Sequence, residues 1–112
     1  MILREWRGQV PRAKGSAYLE FLRARAMPDY AAVPGHRGTW ILMDEGPEVS
    51  EFVLLTLWDS REAIRGFAGE DISRARYYPE DPGFLLEMPE RLRHYDVRER
   101  PLEALSVGLT EK

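Results

Sequence analysis

The chain has no cysteine. That excludes disulfides, thiol nucleophiles and thiolate metal sites together. It has two histidines, His36 and His94, and they fall in different elements with no partner four residues away. Such a pair is poor material for a metal centre, and neither a metal nor another cofactor is expected. No run approaches the ~18 unbroken apolar residues of a membrane span. The opening MILREWRGQ lacks the charged start, apolar core and small-residue cleavage site of a secretory signal, so the expected compartment is the cytoplasm. Glycine-rich phosphate loops are absent, since Gly66 and Gly69 stand alone near a helix end. No serine sits in a nucleophile elbow. A basic stripe is missing too. Net charge is -3, and the arginine clusters Arg23/Arg25 and Arg91/Arg93/Arg98/Arg100 are interspersed with carboxylates. They read as solvated faces, and no nucleic-acid partner is expected.

What is present is enough for one domain with one modest core: 112 residues, 44% hydrophobic and 31% charged. The most informative stretch is EFVLLTLWDSREAIRGFAG, Glu51 to Gly69. Phe52 to Trp58 is a near-continuous apolar run of strand-forming residues, which must be covered on both faces. Asp59 stands three residues before Glu62, the spacing of a reciprocal helix cap. Ala63, Ile64, Phe67 and Ala68 follow at helical spacing, and Gly69 can stop the helix.

Around this stretch the other elements fall into order. Ile2 to Gly8 is a first strand with Ile2, Arg4 and Trp6 on one face. Ser16 to Met27 is a helix with Tyr18, Leu19, Leu22 and Ala26 in one stripe, and Pro28 marks its expected end, with a ragged turn running on to Ala32 as the alternative. HRGTWILMDEG is a second strand, joined through Gly46-Pro47 to the third as a hairpin. EDISRARYY reads as a short extra helical piece, with Ile72 and Ala75 facing in. PEDPG is a loop, and FLLEMPE is either an apolar anchor or a helical turn. Arg91 to Arg98 is a fourth strand with Leu92, His94 and Asp96 on one face. The order β-α-β-β-α-β is that of a ferredoxin-like α+β domain with an antiparallel sheet over residues 1 to 100, followed by a tail, 101 to 112, with a weak apolar patch. In this arrangement both helices lie on one sheet face. The other carries Val53, Leu55 and Leu57, an apolar surface that a second copy of the chain would cover. A homodimer is expected.

LTLWDSREAIRGFAGEDISRARYYPEDPGFLL together with RHYDV resembles the antibiotic biosynthesis monooxygenase superfamily. The resemblance implies a dimeric α+β barrel with a small pocket between helices and sheet in each subunit. The superfamily includes cofactor-free monooxygenases of quinone precursors, haem-degrading enzymes and small proteins without an assigned reaction. Its haem-degrading branch looks to use an Asn on the first strand, a Trp ending the third and a His on the second helix. Here those positions hold Trp6, Trp58 and either Arg76 or Tyr77. Only the Trp corresponds, so haem chemistry ranks low.

Each candidate residue has a functional and a plain reading. Trp58 either walls a flat ligand, as the resemblance implies, or is a core tryptophan with a satisfied N–H. His94 is either a near-neutral base or a half-buried histidine bonded to Asp96, Tyr95 or backbone. Tyr77, Tyr78 and Asp81 sit in a proline-bounded loop. There the phenols either hold a developing oxyanion or seal the core, and Asp81 either orients His94 or fixes a turn. Arg76 and Asp71 either recognise a carboxylate or pair with each other. Tyr18 and Leu22 face the opposite wall, and Trp6 and Phe67 complete the lining. The expectation is a small-molecule-binding barrel acting on a hydrophobic or aromatic molecule, as a cofactor-independent monooxygenase with His94, Trp58 and Tyr78 as catalytic residues. The alternative is a non-catalytic binding or stress-associated module.

Overall fold

Side-chain alternation on two central strands sets the architecture. The structure is a computed structural model that describes residues 1–99; the tail expected at 101–112 lies outside them. Strand β1, Ile2–Pro11, is buried at its even positions through Val10. Strand β3, Val49–Trp58, is buried at Ser50, Phe52, Leu54, Thr56 and Trp58. The two pair antiparallel with Trp6 opposite Leu54 and Ile2 opposite Trp58, which puts both buried rows on one face. Strand β2, His36–Glu45, and strand β4, Arg93–Asp96, flank them in the order β2-β3-β1-β4, and every pairing is antiparallel. This is the ferredoxin-like arrangement. No helix among the described residues is long and apolar enough to cross a membrane.

The first helical segment does not stop at Pro28. Helix α1, Gly15–Phe21, continues through a wide π turn, Leu22–Ala26, into α2, Met27–Ala31. Proline has no N–H, and its ring would strike the carbonyl of Ala24 in a regular helix. The π turn relieves this: the Met27 N–H reaches back five residues to Leu22 O. The same turn keeps a stripe of strict spacing four, Tyr18, Leu22, Ala26 and Tyr30, against the sheet, and all four are buried. Each step of four overshoots a regular turn by about 40°. The extra residue in the wide turn absorbs that drift.

Three other expectations change. The cap of helix α3, Arg61–Ala68, is Ser60, whose Oγ accepts from the Ala63 N–H at 3.1 Å. Asp59 instead holds Arg37 with two hydrogen bonds of 2.6 and 3.1 Å, and Glu62 pairs with Arg65. Gly69, at φ 91°, ends the helix as expected. The stretch after it forms no helix. Asp71 folds its own turn by accepting from Ser73 Oγ at 2.8 Å. The chain then runs extended, with Ala75 N bonded to Glu90 O and Leu92 N to Ser73 O. Residues 84–90 act as the apolar anchor: Leu85 is buried and Leu86 N bonds to Gln9 O. Strand β4 is shorter than expected, since past Glu5 that side of β1 is taken by this anchor.

On the opposite sheet face lie Leu3, Val53, Leu55 and Leu57, with Trp40, Leu42 and Tyr95 beside them by register. Trp40 is 44% exposed and Leu42 45%. Ser60→Ala should destabilise the chain by about 1 kcal/mol in urea denaturation, as loss of a cap does. Asp59→Ala should cost less, because it removes only an exposed ion pair. The reverse order would return the cap to Asp59.

Candidate functional site

The helical stripe and the buried face of the sheet do not close completely. Between them lies a cavity lined by Trp6, Tyr18, Leu22, Ala26, Tyr30, Leu54, Arg76, Tyr77, Tyr78 and Asp81. It offers about 20 Å³ to the centre of a water molecule, which is room for about one water. A larger hollow of about 190 Å³ opens on the other sheet face beside Arg7, Glu51 and Glu87. Its one cation, Arg7, already pairs with Glu5 and Glu51. The smaller cavity holds the convergent polar groups.

The sheet supplies the Trp6 indole, which lies over Gly8, where any Cβ would collide with it. Trp6 Nε1 donates to Tyr77 Oη at 3.2 Å, and Tyr77 Oη donates to Pro89 O at 2.5 Å. The irregular segment after α3 supplies the rest. Asp81 is buried, and its Oδ1 accepts from Tyr18 Oη at 3.2 Å while Oδ2 accepts from Tyr78 N at 2.6 Å. Burial pushes its carboxyl up, against the lowering effect of those two donors. Tyr78 Oη donates to Asp29 at 2.6 Å. Burial, then Asp29, pushes that phenol up; burial, then Asp81, does the same to Tyr18. The Arg76 guanidinium lies over the rings of Phe67, at 4.6 Å, and Tyr78, at 5.6 Å, with Asp29 at 3.8 Å.

The residues singled out from the sequence thus separate. Trp6, Tyr18, Leu22, Arg76, Tyr77, Tyr78 and Asp81 surround one cavity. Phe67 stands behind it, under Arg76 and against Tyr30 at 4.7 Å. Trp58 is away from it, fully buried, with its Nε1 donating to Thr56 Oγ1 at 2.8 Å; its plain reading is the observed one. His94 is also elsewhere, on β4 opposite Arg4. Arg4 Nη1 lies 3.2 Å from His94 Nε2, and as a guanidinium it can only donate, so it occupies the imidazole lone pair. Burial, Arg4 and Arg61 lower His94 to about 4. An imidazole so placed is not suited to the base role expected of it. Asp81 bonds Tyr18 rather than His94, and Asp71 pairs with Arg91 at 2.6 Å rather than with Arg76. Ala26 belongs to the stripe expected of the helix, whereas Tyr30 was missed because the helix was expected to end at Pro28; continuing the spacing of four was the available signal.

No protein-family model matches the chain, and no curated protein matches it by sequence. Solved structures do. One is described as a candidate antibiotic biosynthesis monooxygenase from Bacillus cereus. It has 13% identity and a TM-score of 0.63, and the match covers 89% of this chain and 95% of that one. Another is the haem degrader MhuD from Mycobacterium tuberculosis, solved with two haems in its active site. It has 20% identity and a TM-score of 0.61, covering 90% of this chain and 99% of that one. The fold expected from the sequence resemblance is the fold these structures have. The donors here do not suit haem, however. No imidazole lines the cavity; His94 Nε2 faces Arg4, and His36 Nε2 is 2.7 Å from Thr39 Oγ1. The lining phenols of Tyr18, Tyr77 and Tyr78 are pushed up by burial, away from the phenolate that would ligate iron.

The position of His94 has a consequence for stability. A free histidine titrates near 6.5, whereas the folded one does so at about 4. Between those values the unfolded chain binds a proton that the folded chain refuses, so the His94 contribution declines as pH falls through that window. His94→Gln should flatten this part of the pH profile, read as urea midpoints at pH 7, 5.5 and 4.5. An unchanged slope would remove His94 as its source.

Proposed function

We propose that this chain forms a homodimeric α+β barrel that binds a small aromatic molecule between helices and sheet and performs proton transfer on it. The observation that carries this reading is the convergence of Asp81, Tyr18, Tyr78 and Arg76 on one apolar-walled cavity. A carboxylate raised by burial is a better base than a free one. Asp81 uses one lone pair of each oxygen on Tyr18 and Tyr78, which leaves acceptor capacity for a substrate proton. The ring of the ligand would pack on Trp6, Leu22 and Leu54.

The reaction that suits this set is oxygenation without a cofactor. An activated ring CH2 gives one proton to Asp81, and the electron pair stays on the ring as an enolate. The enolate reacts with dioxygen, the carbon becomes a carbonyl, and the second oxygen atom leaves as water. Accommodating a ring requires the 76–81 segment to swing out, since the cavity has room for about one water. It has no regular structure before Asp81, so its movement breaks side-chain contacts and leaves the sheet intact. The small size of the cavity favours a second reading, a binding module without turnover.

Anthrone is a suitable probe. With no added metal or cofactor, the protein should consume oxygen and yield the quinone. Asp81→Asn should lower kcat about a hundredfold or more, while His94→Gln should leave it within about threefold. Anthrone bound without oxygen uptake would favour the binding module. No binding of anthrone, and no small molecule retained by the purified protein in native mass spectrometry, would overturn the assignment of the cavity.

A further inference from the structure

One polar group in the cavity lining has no partner. Tyr30 is 8% exposed, and among the described residues its hydroxyl makes no hydrogen bond, whereas Tyr18, Tyr77 and Tyr78 all do. The hydroxyl is not sealed off, since the one fully buried side-chain polar atom without a partner among the described residues is Ser50 Oγ; the Tyr30 donor is therefore free for water or a ligand. Behind it stands a second unusual group. Arg4 is 3% exposed and among the described residues has no carboxylate in ion-pair reach. Its guanidinium donates to Ile72 O, to Arg74 O at 3.4 Å and towards His94 Nε2, all neutral acceptors. Arg4 and Arg76 both lie over the Phe67 ring, at 5.9 and 4.6 Å, and the Tyr30 ring packs against the same phenylalanine.

Four charged groups therefore act on the Tyr30 oxygen. Arg4 and Arg76 favour negative charge there, and Asp81 and Asp29 oppose it. Burial has the largest effect and pushes the Tyr30 hydroxyl up to about 12, so it stays a donor; among the charged neighbours the two guanidiniums come first. Asp29 is in addition partly neutralised by Tyr78 and Arg76. So the cavity is polarised. One end, at Tyr30, is electropositive with a spare donor; the other, at Asp81, is a proton acceptor.

We propose that Tyr30 and Arg76, backed by Arg4, form the subsite for an anionic oxygen on the aromatic ligand, and that this subsite selects what the cavity accepts. The inference rests on the binding role assigned above. It adds a ligand class: a planar aromatic acid, carrying a carboxylate or an ionised phenol. Tyr30 Oη would donate one hydrogen bond and the guanidinium of Arg76 further ones, with the geometry that suits a carboxylate. If a ring proton is removed at Asp81, the same subsite receives the developing oxyanion.

Calorimetry with 2-naphthoate and its uncharged counterpart 2-naphthamide tests this, with 4-nitrophenol titrated through its own ionisation as a second arm. The wild-type chain should bind naphthoate about tenfold to a hundredfold more tightly than naphthamide. Tyr30→Phe, which keeps the ring, and Arg76→Gln should each remove most of that preference, weakening naphthoate much more than naphthamide. Binding of 4-nitrophenol only when ionised would extend the class to phenolates; preference for naphthoate alone would restrict it to carboxylates. With tyrosine labelled at Cζ, the carbon resonance absent from Tyr30→Phe should move with naphthoate and stay with naphthamide. Equal binding of the two naphthalenes would overturn the anion subsite and leave the cavity reading standing. Binding of neither would overturn both.

Discussion

The pleat of β1 and β3 is the constraint on which everything else depends. A strand sends successive side chains to opposite faces, so the register that puts Trp6 opposite Leu54 also decides the fate of every neighbour. Ile2, Arg4, Trp6, Phe52, Leu54 and Trp58 go under the helices. Leu3, Val53, Leu55 and Leu57 go to the other side, beside Trp40 and Leu42. A slip of one residue would bury Glu5 and Arg7 and expose the tryptophans. Because the odd row of β3 is largely apolar too, at Val53, Leu55 and Leu57, the sheet is left with an apolar patch that its own helices cannot reach.

The buried side carries unusual polarity for so small a core. Asp81, Arg4 and Thr56 are all buried, and each is held by named partners. Burying a charge is costly unless it is well bonded. Asp81 and Arg4 are held only by neutral donors and acceptors, with no opposite charge in ion-pair contact among the described residues. A core selected for packing alone would have little use for such groups. Asp81 lines the cavity at one end and Arg4 lies behind the other, where Tyr30 is unbonded between helix and sheet, and this placement is what gives the fold chemical content. The shared architecture of the Bacillus and Mycobacterium structures supplies the scaffold; these side chains supply the individuality of this chain.

Much of the scaffold was legible because periodicity reports it directly. The apolar run at 52–58, the hairpin at Gly46-Pro47 and the βαββαβ order all follow from local pattern. Where reading failed, a competing local preference won. Asp59 matched a cap by spacing, but Arg37 across the β2–β3 pair took its carboxylate and Ser60 capped instead. Pro28 signalled a helix end, but a π turn accommodated it. Ile72 and Ala75 had helical spacing, but Asp71 turned the chain and 73–75 paired with 90–92. The lining residues Tyr18, Tyr77, Tyr78 and Asp81 could be named from their crowding around a helix face and a proline-bounded loop. The partnership of Arg4 with His94 could not, because it spans 90 positions and depends on the β1–β4 register. Trp58 drew attention by resemblance, yet Thr56, two residues back on the same face, satisfies its indole inside the core.

The open face of the sheet is where the account is most exposed. Trp40, Leu42 and Tyr95 are exposed together there, and the proposed second copy would present the matching surface by symmetry. Sedimentation equilibrium of the purified chain at micromolar concentration measures this directly. A particle of twice the 13.0 kDa chain mass, reduced to the single chain by Leu55→Glu with its fold retained, is the predicted result. A wild-type chain that stays monomeric and stable at that concentration would contradict the central claim.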